Sequence, residues 1–378
     1  MSEATLWTLK PLVQLALVGA LISAVLLLSL VRKGVRPGET LADARVRRLA
    51  ALTLFFTFDL IVFGSFTRLT DSGLGCPDWP GCYGSASPIG AHAHISQAQA
   101  AMPTGPVTHG KAWIEMIHRY LGSAVGMLIL ALIAATWVAA RRNPRLRRQL
   151  PWAIASLWVI PQGLFGMWTV TLKLYPAIVT LHLLGGLLLL VLLAVQVRLS
   201  RPAVELEPLE RGRLRRAVLA VFVLAVVQIM LGGWVSTNYA VLACTDFPTC
   251  HGSWWPEHMD FSRAFRVLRP LGQDGGGEWL GAADLTAIHM AHRVGAAVAL
   301  AALLWLGWRL WRVRGQDARL RRGAQLVWGI AAWQFASGLS NVVLGWPLVA
   351  ALAHSAGAAA LVLSLTFIRV GLRAPVDS

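Results

Sequence analysis

Among the ten histidines in this 378-residue chain, His118, His182, His292 and His354 each lie about one to two helical turns inside a long apolar stretch. An ionisable side chain inside such a span is costly, so a functional site is its first explanation. Two facing imidazoles at one depth satisfy an axially coordinated haem, with Nε2 toward iron and the other ring nitrogen held by an acceptor. The alternative for any one of them is an interhelical hydrogen bond. Four, paired and repeated, favour haem. His289 and His292 are three residues apart on one helix face, so zinc or copper is the competing chemistry, but no acidic or thiolate set recurs near them.

Glu115 precedes His118 by three residues and shares its helix face. Burial there can raise a carboxyl into the range of proton transfer; the alternative is a carboxylate paired with Arg119 or Lys111. Arg119 and Arg293 follow His118 and His292 directly and must find anions or acceptors at that depth. Haem propionates, a carboxylate, a backbone carbonyl and a lipid phosphate all qualify. The four cysteines form two pairs, Cys76 with Cys82 in CPDWPGC and Cys244 with Cys250 in CTDFPTC. Local disulfides, redox exchange and metal binding are all open to such pairs.

The elements that must carry these residues are membrane helices. With 56% hydrophobic and 14% charged residues, the composition is far from that of a soluble domain. Apolar stretches long enough to cross a bilayer fall at roughly 11–31, 49–67, 112–140, 152–171, 177–197, 217–235, 285–308, 324–345 and 348–368. The first is read as a retained helix, because Arg32 and Lys33 follow it where a small-residue cleavage site would stand. Most of the 34 Lys and Arg lie at alternate junctions, in clusters such as Arg141 to Arg148 and Arg309 to Arg322. Few, among them Lys10, Arg68, Lys111 and Lys173, lie at the others. The positive-inside rule then puts the C-terminus in the cytoplasm and the two long loops, near 68–111 and 236–284, outside. Topology thus explains the net charge of +16 without nucleic acid. Many of the 17 Trp, including Trp113, Trp152, Trp254, Trp255, Trp279 and Trp346, stand at segment ends as interface anchors. His92, His94, His109, His251 and His258 fall in the loops and read as solvated.

The chain also repeats itself. Glu115-Met-Ile-His118-Arg119 answers to His289-Met-Ala-His292-Arg293. His182 and Gly185 answer to His354 and Gly357, and Gln162, Gly166 and Val170 to Gln334, Gly338 and Val342. The expected fold is an all-α integral membrane protein: two tandem, parallel-repeat four-helix bundles, an eight-helix core, plus one extra N-terminal transmembrane helix. Residues 1–48 hold that extra helix and a basic loop, 49–205 the N-terminal half and 206–378 the C-terminal half. Gln162, Gln228 and Gln334, with Gly185, Gly232, Gly233 and Gly357, read as packing positions. The repeat breaks at Glu115 against His289, which predicts unequal work for the halves.

The run FGSFTRLTDSGLGCPDWPGCYG from Phe63 to Gly84, followed by KAWIEMIHRYLG and later IHMAHR, resembles the haem A synthase family. The resemblance spans about residues 49–371. It implies oxidation of the C8 methyl group of haem o to a formyl group through hydroxylated intermediates. Carried over by residue, it implies that His292 and His354 are axial ligands of a resident haem b, and that His118, His182 and Arg119 bind the haem substrate. Glu115 would be the catalytic acid, and His289 and Arg293 would surround the cofactor without ligating iron. Cys76–Cys82 and Cys244–Cys250 would be disulfides. The implied setting is the bacterial cytoplasmic (inner) membrane, with haem o, membrane lipid, haem o synthase and a quinone or other electron acceptor as partners; a homo-oligomer is left open. The rival readings are a dihaem electron-transfer subunit and a non-catalytic haem carrier.

Overall fold

The computed structural model describes residues 9–28, 40–274, 276–313 and 317–374. Its long elements are helices: α1 Leu9–Leu28, α2 Leu41–Leu69, α3 His92–Ala101, α4 His109–Ala140, α5 Leu150–Thr171, α6 Pro176–Leu199, α7 Pro208–Thr237, α8 Ala282–Arg312, α9 Ala318–Val343 and α10 Leu348–Gly371. Among the described residues no strand forms, only isolated bridges such as Cys82 with Ser85 and Cys250 with Ser253. Eight helices, all of these but α1 and α3, are long and apolar enough to cross a bilayer. The chain is therefore a multi-pass membrane protein. Helix α1 carries a shorter apolar stretch, Val13–Val25. Residues 29–31 of the expected first span, together with Arg32, Lys33 and Arg314, lie outside the described residues.

The helices outrun the apolar windows at their basic ends. Helix α2 starts at Leu41 instead of 49, because Thr40 and Asp43 form a capping box: the Asp43 N–H donates to Thr40 Oγ1 at 3.1 Å and the Thr40 N–H to Asp43 Oδ2 at 3.2 Å. Helix α7 starts at Pro208, whose missing N–H costs nothing in a first turn. Helix α9 starts where Asp317 accepts from the Arg319 N–H at 2.8 Å. At its other end α9 stops at Val343, short of 345, since Gly345 (φ 68°) and Trp346 (φ 65°) turn left-handed before Pro347. Helix α3 lies inside the first long loop, where no regular element was expected.

Two compact units divide the chain. One runs up to Leu174 and takes in Leu188–Ser200; the other is Tyr175–Leu187 with everything from Arg201 on. In the first, α4 is the central helix and packs against α1, α2 and α5. Gly19 lets α1 approach, since a Cβ there would stand 2.7 Å from the Ser123 backbone. The Ser23 hydroxyl lies 2.9 Å from the Ala124 carbonyl oxygen. Helices α2 and α4 run antiparallel, with Asn143 Nδ2 donating to Asp43 Oδ1 at 2.6 Å at one end and Gly64 against His118 toward the other.

The second unit is a closed four-helix ring in which α8 packs on α7 and α9, and α10 on α9 and α7. Its basic-end half is filled by an apolar cluster that includes Leu214, Val221, Leu306, Leu310, Val327 and Leu365. A smaller cluster with Trp234, Ala240, Ala287 and Ile288 closes the other end. The start of α6 belongs to this unit: Thr180 Oγ1 lies 3.5 Å from Thr237 Oγ1, and Gly233 leaves room for Leu183.

Candidate functional site

Between the two apolar clusters of the second unit lies a polar layer. His292 on α8 leans on α7 at Gly232, where a Cβ would stand 2.9 Å from His292 Cε1; His354 on α10 leans on α9 at Gly338, where it would stand 3.1 Å from His354 Cε1. Any larger residue would displace an imidazole.

The partners of the ring nitrogens determine what the rings can do. The Ser337 hydroxyl spends its one hydrogen on the Trp333 carbonyl oxygen at 2.7 Å, so toward His354 Nδ1, 3.0 Å away, it accepts. Nδ1 therefore carries the ring hydrogen, and Nε2, which makes no hydrogen bond, keeps a free lone pair. Gln228 Nε2 lies 2.9 Å from His292 Nδ1 and 3.0 Å from the His292 carbonyl oxygen, while Gln228 Oε1 is buried without a partner. With the amide nitrogen facing the ring, His292 Nε2 carries the hydrogen. With the amide turned over, Oε1 would accept from Nδ1–H and free a lone pair on the ring Nε2, at the loss of the amide's donation to the His292 carbonyl oxygen. Gln334 Nε2 donates to the His354 carbonyl oxygen at 3.2 Å and leaves its own Oε1 unmatched. His354, with a free Nε2 lone pair, and His292, which would need its ring hydrogen on Nδ1, are each backed by a glycine and are the residues that would hold a haem. No group of three or more His, Cys, Asp or Glu side chains suited to a bare metal ion occurs among the described residues.

His289, buried at 4% exposure, does not join them: its Nδ1–H donates to the Ala240 carbonyl oxygen at 3.0 Å and ties α8 to the segment after α7. Arg293 donates to the carbonyl oxygens of Thr249 (2.8 Å), Asp246 (2.9 Å) and Cys244 (3.2 Å). In the first unit Arg119 does the same for Asp78 (2.9 Å), Pro80 (3.2 Å) and Gly81, and also pairs with Glu115 Oε1. Glu115 Oε2 accepts from the Cys76 N–H at 2.8 Å. Both carboxylate oxygens are thus engaged beneath the first loop. Gly75 permits that closeness, for a Cβ there would lie 2.5 Å from the Lys111 backbone.

Both cysteine pairs are disulfides, and all four cysteines are fully buried. In each loop an aspartate caps the turn. Asp78 accepts from the N–H groups of Tyr83 (2.6 Å) and Gly84 (2.7 Å), and Asp246 from those of His251 (2.8 Å) and Gly252 (3.0 Å). Gly84 and Gly252 take the positive φ that such a turn requires. Bonds from the Thr249 hydroxyl, Gly252 N–H and His251 N–H hold the Asp246 carboxyl well below the usual carboxylate range. A depressed native value stabilises the loop above the ordinary value of 3.8, and that contribution is lost as pH falls through and below it. Hydrogen exchange at His251 and Gly252, corrected for intrinsic rate, is expected to quicken only at acid pH in the wild type and to be fast already at neutral pH in Asp246→Ala. Equal protection in both proteins would contradict this.

His118 lies against Gly64, where a Cβ would stand 2.9 Å from His118 Nε2, and its ring is parallel to Phe63 at a centroid distance of 6.4 Å. His182, on the part of α6 that belongs to the second unit, has a buried Nδ1 with no partner. Of the loop histidines, His92, His94, His251 and His258 are exposed, whereas His109 Nε2 pairs with Ser96 Oγ at 2.9 Å. Sequence reasoning missed Ser337. The residue 172 positions earlier is Phe165, so the repeat carries no signal for it.

These features define a class: multi-pass helical membrane proteins that carry buried imidazoles beneath disulfide-bridged loops. The chain belongs to the COX15-CtaA family, described as "Cytochrome oxidase assembly protein", whose model matches residues 47–366. A heme A synthase of Shewanella oneidensis is 40% identical over 325 residues, 85% of this chain and 94% of that protein. Those of Caulobacter vibrioides (30% over 357 residues, 87% and 97%) and Symbiobacterium thermophilum (28% over 288 residues, 74% and 79%) are also similar.

Proposed function

We propose that this chain is a haem A synthase, an oxidoreductase that converts the C8 methyl group of haem o to a formyl group for cytochrome oxidase assembly. Family membership and the curated relatives support the reaction. The arrangement of His354 and Ser337 carries the further assignment of a resident haem b, because it leaves an imidazole lone pair directed by a fixed tautomer. His292 and His354 hold that haem, which supplies one-electron redox chemistry when bound.

The division of labour is also a proposal. On the repeat, Gln228 and Ser337 answer to Leu60 and Phe165, so the two halves differ in the residues beside these helices' histidines. His182 Nδ1 has no partner, which suits an exchangeable haem. His118 and His182 are assigned to the substrate by the family resemblance alone, since His182 lies on the second unit. Glu115 handles protons, and the loop it anchors through Cys76 N–H limits access of water. Arg119 and Arg293 contribute through the loops whose carbonyls they hold, and His289 by fixing α8. The basic junctions support the bacterial cytoplasmic membrane with the long loops outside.

Expression in a host that makes haem o but no haem A tests the function. Extracted haems are expected to contain the hydroxylated or formyl product by mass; none, despite an intact electron supply, would refute it. A dihaem electron-transfer subunit predicts two permanent, unaltered haems. For the tautomer, Ser337→Ala is expected to keep haem b but raise its midpoint potential, since the ligand loses the acceptor that raises its basicity. An unchanged potential would remove Ser337 from that role.

A further inference from the structure

We propose that the groove between α7 and α8 at the basic end of the second unit binds an anionic phospholipid, with its phosphate held among Arg213, Arg216 and Arg309. The groove is a shallow depression, open to the surface, of about 450 Å³. Arg213, Arg216, Ala217 and Ala220 recur at helical spacing and so share one face of α7. Trp305 and Arg309, one turn apart on α8, complete the lining.

Charge selects the headgroup. Arg309 is preset by Glu210, whose Oε1 lies 3.2 Å from its Nη2, and by the Trp305 ring, 5.8 Å from its guanidinium carbon. Arg213 reaches Glu210 only at 3.8 Å with its side chain 56% exposed. Arg216 makes no side-chain bond among the described residues. One carboxylate therefore serves three guanidiniums, and the remaining positive charge has no counterion among the described residues. Guanidinium groups match phosphate oxygens in a bidentate way, and basic pockets between membrane helices attract anionic headgroups.

Shape selects a lipid over a free anion. The arginines stand at the start of α7 and the end of α8, whereas Ala217, Ala220 and the half-exposed Trp305 continue the groove into the apolar span. An amphiphile satisfies both parts: the phosphate meets the arginines, and an acyl chain covers the alanines and the indole. Inorganic phosphate would leave the apolar floor to water.

Native mass spectrometry of the full-length, detergent-purified protein tests this with phosphatidylglycerol, phosphatidylcholine and inorganic phosphate as probes. One phosphatidylglycerol per chain is expected to be retained about tenfold better than phosphatidylcholine, and millimolar phosphate should not displace it. Arg213→Gln combined with Arg216→Gln should abolish the preference, whereas Arg321→Gln with Arg322→Gln, on exposed residues of α9, should preserve it. Equal retention of the two lipids by the wild type, equal loss in the two double variants, or displacement by phosphate would overturn the proposal.

Discussion

Replacing His354 with alanine is expected to abolish the low-spin signal of a resident haem b while leaving the protein folded. The ring is one of two that would hold the haem, and its Nε2 is the atom that Ser337 leaves with a lone pair. Losing a partner that merely orients a metal ligand costs ~10–100-fold in affinity, so loss of the ligand itself should exceed that. His292→Ala should behave alike. Folding should survive because the apolar cluster that closes the basic half of the bundle contains neither ring. An unchanged low-spin spectrum in both variants would count against the assignment.

Glu115→Ala should have a comparably large effect by a different route. The carboxylate is 4% exposed, pairs with Arg119 and accepts from the Cys76 N–H. Removing one partner of a buried pair strands the other, at a cost of ~3–5 kcal/mol, and here the first loop also loses its anchor. Thermal stability and expression should fall together. Glu115→Gln separates the roles in part, since the amide oxygen keeps one of the two acceptor positions while the ionisable proton is gone. That variant is expected to fold, keep haem b and lose synthesis; near-normal product from it would remove Glu115 from proton handling.

The spans were legible in the sequence because their apolar runs are long, and the errors have local causes. Thr40 with Asp43, Pro208 and Asp317 begin helices in polar sequence that an apolar window passes over. Helix α3 was missed since HAHISQAQAA carries little apolar periodicity, and Ile95 is its buried residue. The histidines and the cysteine pairs stood out by type and spacing. Their partners did not: whether Arg119 meets a propionate or the carbonyls of Asp78, Pro80 and Gly81 depends on how the chain folds back over α4, which residue type does not encode. Ser337 is one of many helix serines, and only its distance to His354 gives it significance. Gln228 was read as a packing position, and its bonds to the ring and carbonyl of His292 on the neighbouring helix show only in the structure.

The central claim is that one half keeps a haem and the other changes one. Its most direct test is mass analysis of the haems extracted from wild type, His354→Ala and His118→Ala, all produced in a host supplied with haem o. Expected are haem b together with haem o and its oxidised products in the wild type, haem b missing from His354→Ala, and haem b retained without oxidised product in His118→Ala. Equal depletion of every haem in both variants, or two unaltered haems of one kind in the wild type, would contradict it.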